Sequence, residues 1–267
     1  MTDLGGRISG EDAAAALARL YDLDLAEDPG DVDLYLALAR RAAGAVVELA
    51  TGSGRISVPL AAAGHAVVGI DLDPAMLERA RTRAEALDSE AAGRLELVVG
   101  DVLEPRAELA GRFGLSILAL NSILLFDTPE RQARVVDVLA GLLAPGGIAV
   151  IDAWQPRPRD LVGFDGRISL EWLREDPESG DQVVKTAAAW YEPETRTVTL
   201  TTIFDASQPG GATRRWTRTD RLRLPAPDEV LAWVEAAGLE VEELGGDYDM
   251  RPFGRGSERL IVVARRP

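Results

Sequence analysis

A chain of 267 residues, 46% of them hydrophobic, can bury the core of one large α/β domain or of two small ones. Its net charge of −15 speaks against a broad nucleic-acid or anionic-membrane surface, which needs a basic stripe, although a local basic patch is compatible with it. With no cysteine there is no disulfide, thiol nucleophile or thiolate metal site; no other metal-binding cluster is visible, although the acids of residues 155–224 could hold an ion.

Met1 to Asp12 is polar and acidic, unlike a signal peptide. The longest apolar stretch, Leu115 to Phe126, is too short to span a bilayer and is broken by Asn121 and Ser122, so a cytoplasmic protein is expected. Ser9-Gly10-Glu11-Asp12 ahead of an Ala/Leu-rich run predicts a capped helix to about Leu25. A second helix, from about Val32 to Ala43, carries Leu34, Leu38 and Ala42 on one face. Strands and helices then alternate. The predicted strands are Ala45–Ala50, Ala66–Asp71, Leu95–Gly100, Leu115–Asn121 and Ile148–Trp154. The predicted helices are Ile56–Ala63, Pro74–Leu87, a short one near Glu104–Leu109, and Glu130–Leu143. Pro74 after Asp73 is a first-turn proline behind an N-cap, and Ala144-Pro145-Gly146-Gly147 reads as a helix stop and turn. Such alternation predicts an α/β, doubly wound parallel sheet whose ligands bind beyond the carboxyl ends of its strands.

After Trp154 the rhythm changes. Gln155 to Arg159 is a breaker-rich connection, and Ile168 to Leu224 has period two, with turns at Glu192-Pro193-Glu194 and Gln208-Pro209-Gly210-Gly211. This predicts an antiparallel β meander inserted in the α/β domain. A helix, Pro227–Ala237, and two strands, Glu240–Leu244 and Arg259–Arg265, return to the main sheet. The expected organisation is therefore 1–154 for the N-terminal helices and first α/β half, 155–224 for the insertion, and 225–267 for the completion of the sheet.

The most informative stretch is Val46-Val47-Glu48-Leu49-Ala50-Thr51-Gly52-Ser53-Gly54, a strand ending in an acid and followed by a small-residue loop. Glycines let backbone approach a ligand closely. A pyrophosphate would be repelled by Glu48, and Ser57 stands where a dinucleotide fingerprint wants its third glycine. A cationic or zwitterionic nucleotide-like cofactor fits better, S-adenosylmethionine being one. Asp71 ends the second strand 17 positions after Gly54, the place of a ribose-binding acid. Gly100-Asp101-Val102 ends the third strand with a carboxylate able to accept from an adenine amine. Residues at the end of the fourth strand would face the reacting centre.

These pieces, with Asp73-Pro74-Ala75-Met76 and Leu143 through Asp152, make Val46 to Asp152 resemble the class I S-adenosylmethionine-dependent methyltransferases. The segments Gly246–Phe253 and Ile261–Ala264 resemble bacterial members that methylate small molecules. The resemblance implies a seven-stranded sheet of order 3-2-1-4-5-7-6 with its last strand antiparallel. It implies that Gly52 and Gly54 pack under the methionine moiety, with Glu48, Ala50 and Arg55 in the same loop. Asp71 would bind the ribose, Leu72 and Met76 would flank the adenine, and Gly100, Asp101 and the Val102 backbone would hold its amine. Tyr21 or Tyr35 would cover the methionine end, with Leu120 and Asn121 completing the cofactor set. Ala50 departs from the family, which usually has glycine there.

Methyl transfer from a sulfonium is an in-line displacement, and alignment alone can supply about 7–11 kcal/mol of its barrier. His65, the only histidine, precedes the second strand at the amino end of the sheet, so any base must be a carboxylate, a tyrosine or water. The catalytic candidates are Asn121, Asp247 and Tyr248. The acceptor candidates are Ser122, Trp154, Arg157, Arg251 and, from the insertion acting as a lid, Trp172. Trp190, Tyr191 and Trp216 are further lid aromatics, of which Trp190 and Trp216 are expected to anchor the insertion's own core. Arg214, Arg215, Arg218, Arg221 and Arg223 make either a solvated strand face or a site for an anionic acceptor. The expected function is methyl transfer to O, N or C of a small molecule, by a monomer or homodimer. The alternatives are an RNA methyltransferase, or a protein of this fold that binds the cofactor without transferring methyl.

Overall fold

The computed structural model describes residues 10–27, 29–104 and 107–267. In chain order its elements are α1 (Gly10–Asp24), α2 (Val32–Arg41), β1 (Ala45–Leu49), α3 (Ser57–Ala62), β2 (Val67–Asp71), α4 (Pro74–Glu85), α5 (Ser89–Ala92) and β3 (Leu95–Val99). Then follow β4 (Phe113–Leu118), α6 (Pro129–Leu142), β5 (Leu143–Trp154) and α7 (Pro158–Val162). The insertion is β6 (Asp165–Glu175), β7 (Gln182–Glu192), β8 (Thr197–Ser207) and β9 (Arg214–Arg223), and the chain ends with α8 (Pro227–Ala236), β10 (Glu240–Gly245) and β11 (Arg259–Arg265).

The main sheet runs β10-β11-β5-β4-β1-β2-β3, which is the expected order, with β11 antiparallel to both neighbours. Its central strands are apolar on both faces because helices cover both: every residue of β4 is buried, as are Val46, Val47 and Leu49 of β1. Helix starts follow local chemistry. Asp73 accepts from Ala75 N at 2.8 Å ahead of Pro74, and Thr128 accepts from Arg131 N at 3.3 Å ahead of Pro129.

The departures from expectation have local causes. β4 ends at Leu118, before the predicted Asn121, because Leu120 and Asn121 turn left-handed, with φ of 40° and 67°. Ala144 to Gly147 does stop α6, but it lies inside β5, where Gly146 at φ 78° accompanies a register shift between Phe113 and Leu115. Of the short helix expected near Glu104–Leu109, the described residues show one 3-10 turn, Ala107–Leu109, and α5 and α7 are additional short helices. Ser9 of the predicted first cap lies outside the described residues.

The insertion is a separate sheet of order β6-β7-β8-β9. At one end its inner face packs Val183, Phe204, Ala206 and Trp216 against Leu20 and Leu23 of α1. At the other, Val198 and Leu224 join the core shared by β5, α6 and α8. The insertion thus bridges the N-terminal helix and the second half of the main domain. Among the described residues no helix is long and apolar enough to cross a membrane.

Candidate cofactor and acceptor site

The glycine loop and the ends of β2 and β3 meet. Gly52 N donates to Asp71 Oδ2 at 2.7 Å, Thr51 N to Ile70 O at 3.0 Å, and Gly100 N to Asp71 O at 2.9 Å. Gly52 and Gly54 have φ of 57° and 75°, and a Cβ on Gly52 would sit 3.2 Å from Met76 Cε, one on Gly54 2.9 Å from Ala80 Cβ. Gly54 thus has no room for a side chain, and one at Gly52 would press on the end of Met76 from a left-handed backbone that favours glycine. Ala50 is itself left-handed at φ 55°, which explains why glycine is usual there.

Glu48 is 3% exposed and does not line open space. Its Oε2 accepts from Thr51 Oγ1 at 2.7 Å and from Ser57 Oγ, so it ties the loop to the start of α3. Burial pushes its carboxyl up to about 7, against the lowering effect of these hydroxyls and of Arg55. Arg55 forks onto the buried Asp31 at 2.5 and 2.8 Å. Asp71 is also raised by burial, although the Asp73 and Gly52 amides partly offset this. Leu72 beside it is 68% exposed, an apolar side chain left in solvent, while Asp101 is exposed and Val102 buried. An acid for a diol, an uncovered apolar flank and an open carboxylate at the next strand end together fit an adenosyl group.

α1 reaches this loop. Ser53 Oγ donates to Asp22 Oδ1 at 2.5 Å, Arg79 of α4 pairs with Asp22, and Arg83 donates to Ser53 O at 2.7 Å. Tyr21 is partly buried; burial raises its hydroxyl, with Arg55, Asp22, Glu48 and Arg218 all within electrostatic reach. Tyr35 is a correction. It is fully buried on the inward face of α2, and its hydroxyl donates to Asp152 Oδ2 at 3.4 Å, so it faces no open site.

The second half of the site is organised by Asp152, a buried acid at the carboxyl end of β5. Its Oδ2 accepts from Tyr248 Oη at 3.0 Å and Leu120 N at 3.1 Å, and its Oδ1 from Arg259 Nε at 2.7 Å. Burial raises its carboxyl while Arg259 and Tyr248 pull it back, and burial together with Asp152 raises the Tyr248 phenol well above its ordinary range. A phenol so raised is a hydrogen-bond donor and a poor base. Asn121 Oδ1 accepts from Trp154 N at 2.7 Å and Arg259 Nη2 at 2.8 Å. Trp154, Tyr248, Asp247, Arg251 and Arg259 border a cavity of about 760 Å³.

The other candidates are distributed unequally. Ser122 opens a 3-10 turn after Asn121. Asp247 is held by Arg251, which also pairs with Asp249 and is 72% exposed. Arg157 is bound by Asp160 and by Glu258 at 2.6 Å. Trp172 joins the α1 core, its Nε1 donating to Asp24 Oδ1 at 2.8 Å, and so stands apart from the Trp154 group. Trp216 is buried in that core as expected, but Trp190 is 57% exposed and does not join it: it lies on the outer face of β7, over Gly166. In the basic run, Arg214, Arg215, Arg218 and Arg223 pair with Asp181, Asp205, Asp220 and Glu229. Asp22, Asp31, Asp152 and Arg259 escaped the sequence reading as site residues. Only Asp152 carried a signal, the same apolar run ending in an acid that marks Glu48.

Residues 46–147 match the family described as a methyltransferase domain. The dTDP-4-amino-2,3,4,6-tetradeoxy-D-glucose N,N-dimethyltransferase of Saccharopolyspora spinosa is 26% identical over 87% of this chain and 84% of its own. The structure of the CcbJ methyltransferase from Streptomyces caelestis superposes with a TM-score of 0.74 at 26% identity, covering 91% of this chain and 98% of that one. An uncharacterized RNA methyltransferase of Parasynechococcus marenigrum is 36% identical over 40% of this chain, which spans only 21% of that protein's length. With the sheet order, the glycine loop and its two strand-end acids in place, residues 46–147 form an S-adenosylmethionine-dependent methyltransferase domain, and the chain carries the class I methyltransferase sheet.

Proposed function

We propose that this protein methylates the amino nitrogen of a small-molecule acceptor, an amino sugar or a compound of similar size. The observation that carries this reading is the cavity beside Trp154, Tyr248 and Arg259, which adjoins the Asp152 and Asn121 cluster and has no imidazole in it. His65 lies in the turn before β2, at the other end of the sheet. A hydroxyl or carbon acceptor calls for a base near the operating pH, whereas a neutral amine needs only to be held and aligned. The Saccharopolyspora relative is named for N,N-dimethylation of an amino sugar, which agrees with this chemistry.

When bound, S-adenosylmethionine supplies a methyl group already activated by its sulfonium. The chain's part is to hold and to align. Gly52 and Gly54 would give close backbone approach, Asp71 would accept from ribose hydroxyls, Leu72 and Met76 would flank the base, and Asp101 would accept from its amine. Tyr21, between the loop and the lid, would exclude water from the reacting end. Asn121, Trp154 and Tyr248 would orient the acceptor, with Asp247 and Arg251 at the mouth.

The test is incubation with S-adenosylmethionine and dTDP-4-amino-2,3,4,6-tetradeoxy-D-glucose, followed by mass spectrometry. The reading expects S-adenosylhomocysteine and a product one or two methyl groups heavier at nitrogen. Methyl incorporation into RNA or onto oxygen alone, with amines untouched, would overturn it.

A further inference from the structure

We propose that Arg259 is a positioning residue that fixes the side-chain amide of Asn121 in one orientation, with Nδ2 offered to the acceptor; this rests on the acceptor reading above. Arg259 is the first residue of β11 and pairs with Trp154 in the ladder to β5. From there its guanidinium reaches across β5 to the end of β4. Nε bonds Asp152 Oδ1 at 2.7 Å, and Nη2 bonds both Asp152 Oδ1 at 2.6 Å and Asn121 Oδ1 at 2.8 Å. The Tyr248 ring lies 4.8 Å from it and covers one face.

Two lone pairs are available on Asn121 Oδ1, and Trp154 N and Arg259 Nη2 occupy them. A flipped amide would set an NH₂ group against two donors, so the amide has one stable orientation. The backbone beneath it is equally constrained. Leu120 and Asn121 are consecutive left-handed residues, and their N–H groups donate to Asp152 Oδ2 and to Asp152 O, each at 3.1 Å. Non-glycine residues persist in that conformation only where their surroundings hold them. Nη2 touches both oxygens, and the fork adds the second bond from Nε to Asp152, which fixes the guanidinium plane; a lysine, shorter and with a single nitrogen, has no such second hold.

Nδ2 can only donate. It suits a hydroxyl or ring oxygen beside the reacting amine, and it leaves the amine lone pair free to attack. On this proposal the acceptor carries a second feature, an oxygen within a few bonds of its nitrogen.

The experiment is a double-mutant cycle with Arg259→Lys and Asn121→Ala, read with dTDP-4-amino-2,3,4,6-tetradeoxy-D-glucose. Each single change is expected to lower acceptor kcat/KM at least tenfold, beyond any change in the S-adenosylmethionine Kd read by calorimetry. The double variant is expected to be no worse than Asn121→Ala alone. Multiplying losses, or an Arg259→Lys enzyme as active as the parent, would overturn the proposal. Asn121→Asp keeps both contacts to Oδ1 but cannot donate; it should retain the melting temperature and lose acceptor turnover, and full turnover would equally overturn the proposal. A readout independent of any acceptor is the side-chain NH₂ pair of Asn121 in a ¹⁵N-correlated NMR spectrum, identified by its loss in Asn121→Asp. It should be a sharp pair in the parent and shifted or broadened in Arg259→Lys. An unchanged pair refutes the positioning role even if the amino sugar proves to be the wrong acceptor, whereas a shifted pair without turnover counts against the acceptor alone.

Discussion

The Gly52 amide donates to the Asp71 carboxylate at 2.7 Å, although 19 residues separate the two in sequence. That bond joins the turn after β1 to the end of β2 and makes one concave surface of two strand ends. Gly100 N on Asp71 O extends it to β3. The cofactor half of the site is thus a property of parallel strand order, in which adjacent strands deliver their carboxyl ends to one edge.

Glu48 gives the protein a pH-dependent stability. Its ordinary value is 4.5 and burial raises it to about 7, so between those values the folded state holds a proton that the unfolded chain has released. Its stabilising contribution is complete below about pH 4.5 and is lost as pH rises through 7, a change of at most about 3 kcal/mol. Glu48→Gln should flatten the fall in denaturant midpoint between pH 5 and 8 and be the more stable protein at pH 8. A parallel pH profile for the two would contradict this.

Ala50 stores backbone strain at φ 55°. Ala50→Gly should raise stability by about 1 kcal/mol, read as a melting temperature a few degrees higher, with the cofactor Kd preserved. A lower melting temperature would show that the loop needs the methyl group.

Asp24 fastens α1 to the insertion. It accepts from Trp172 Nε1 at 2.8 Å and from Lys185 Nζ at 2.6 Å, and Lys185 is only 15% exposed. Asp24→Ala leaves that largely buried ammonium without its partner, at a loss of about 2 kcal/mol. Hydrogen exchange should speed up in both α1 and β6–β7; exchange changed in α1 alone would show that the two do not act as a unit.

Arg218 lies on the inner face of β9, opposite the buried Thr202, within electrostatic reach of Tyr21. If the acceptor carries a nucleotide diphosphate, Arg218→Glu should raise KM for the dTDP-linked amino sugar at least tenfold and leave the free amino sugar unaffected. Equal KM values for both variants would return the arginine run to the role of a solvated strand face.

How much of this was legible in sequence depends on the range of the signal. The strand-end places of Asp71 and Asp101 were readable because each follows an apolar run and strand order carries both to one edge; Glu48 is marked the same way but lies buried beneath the loop. Trp216 was readable as core because period two placed it on the buried face. Leu120 and Asn121 look like more strand, since the bonds that meet their amides in the left-handed turn come from Asp152 on the neighbouring β5. Arg259 looks like an ordinary strand-opening charge, because its reach over β5 depends on β11 pairing Arg259 with Trp154. Tyr35 could be taken for a cofactor lid until α2 turned it inward with Leu34 and Leu38. Trp190 points outward with Val184, Thr186 and Ala188, because period two marks a face without saying which is buried; in β7 the buried face carries Val183 and Ala187.

The central claim is that the glycine turn and the two following strand-end acids hold one S-adenosylmethionine. Calorimetric titration of that compound into the parent protein and into Asp71→Ala tests it most directly. The parent should bind with measurable heat, and the variant, still folded, should bind at least tenfold more weakly, as expected for losing a charge-assisted bond worth about 1.5–3 kcal/mol. A parent that gives no heat, or an Asp71→Ala protein that binds as tightly as the parent, would contradict it.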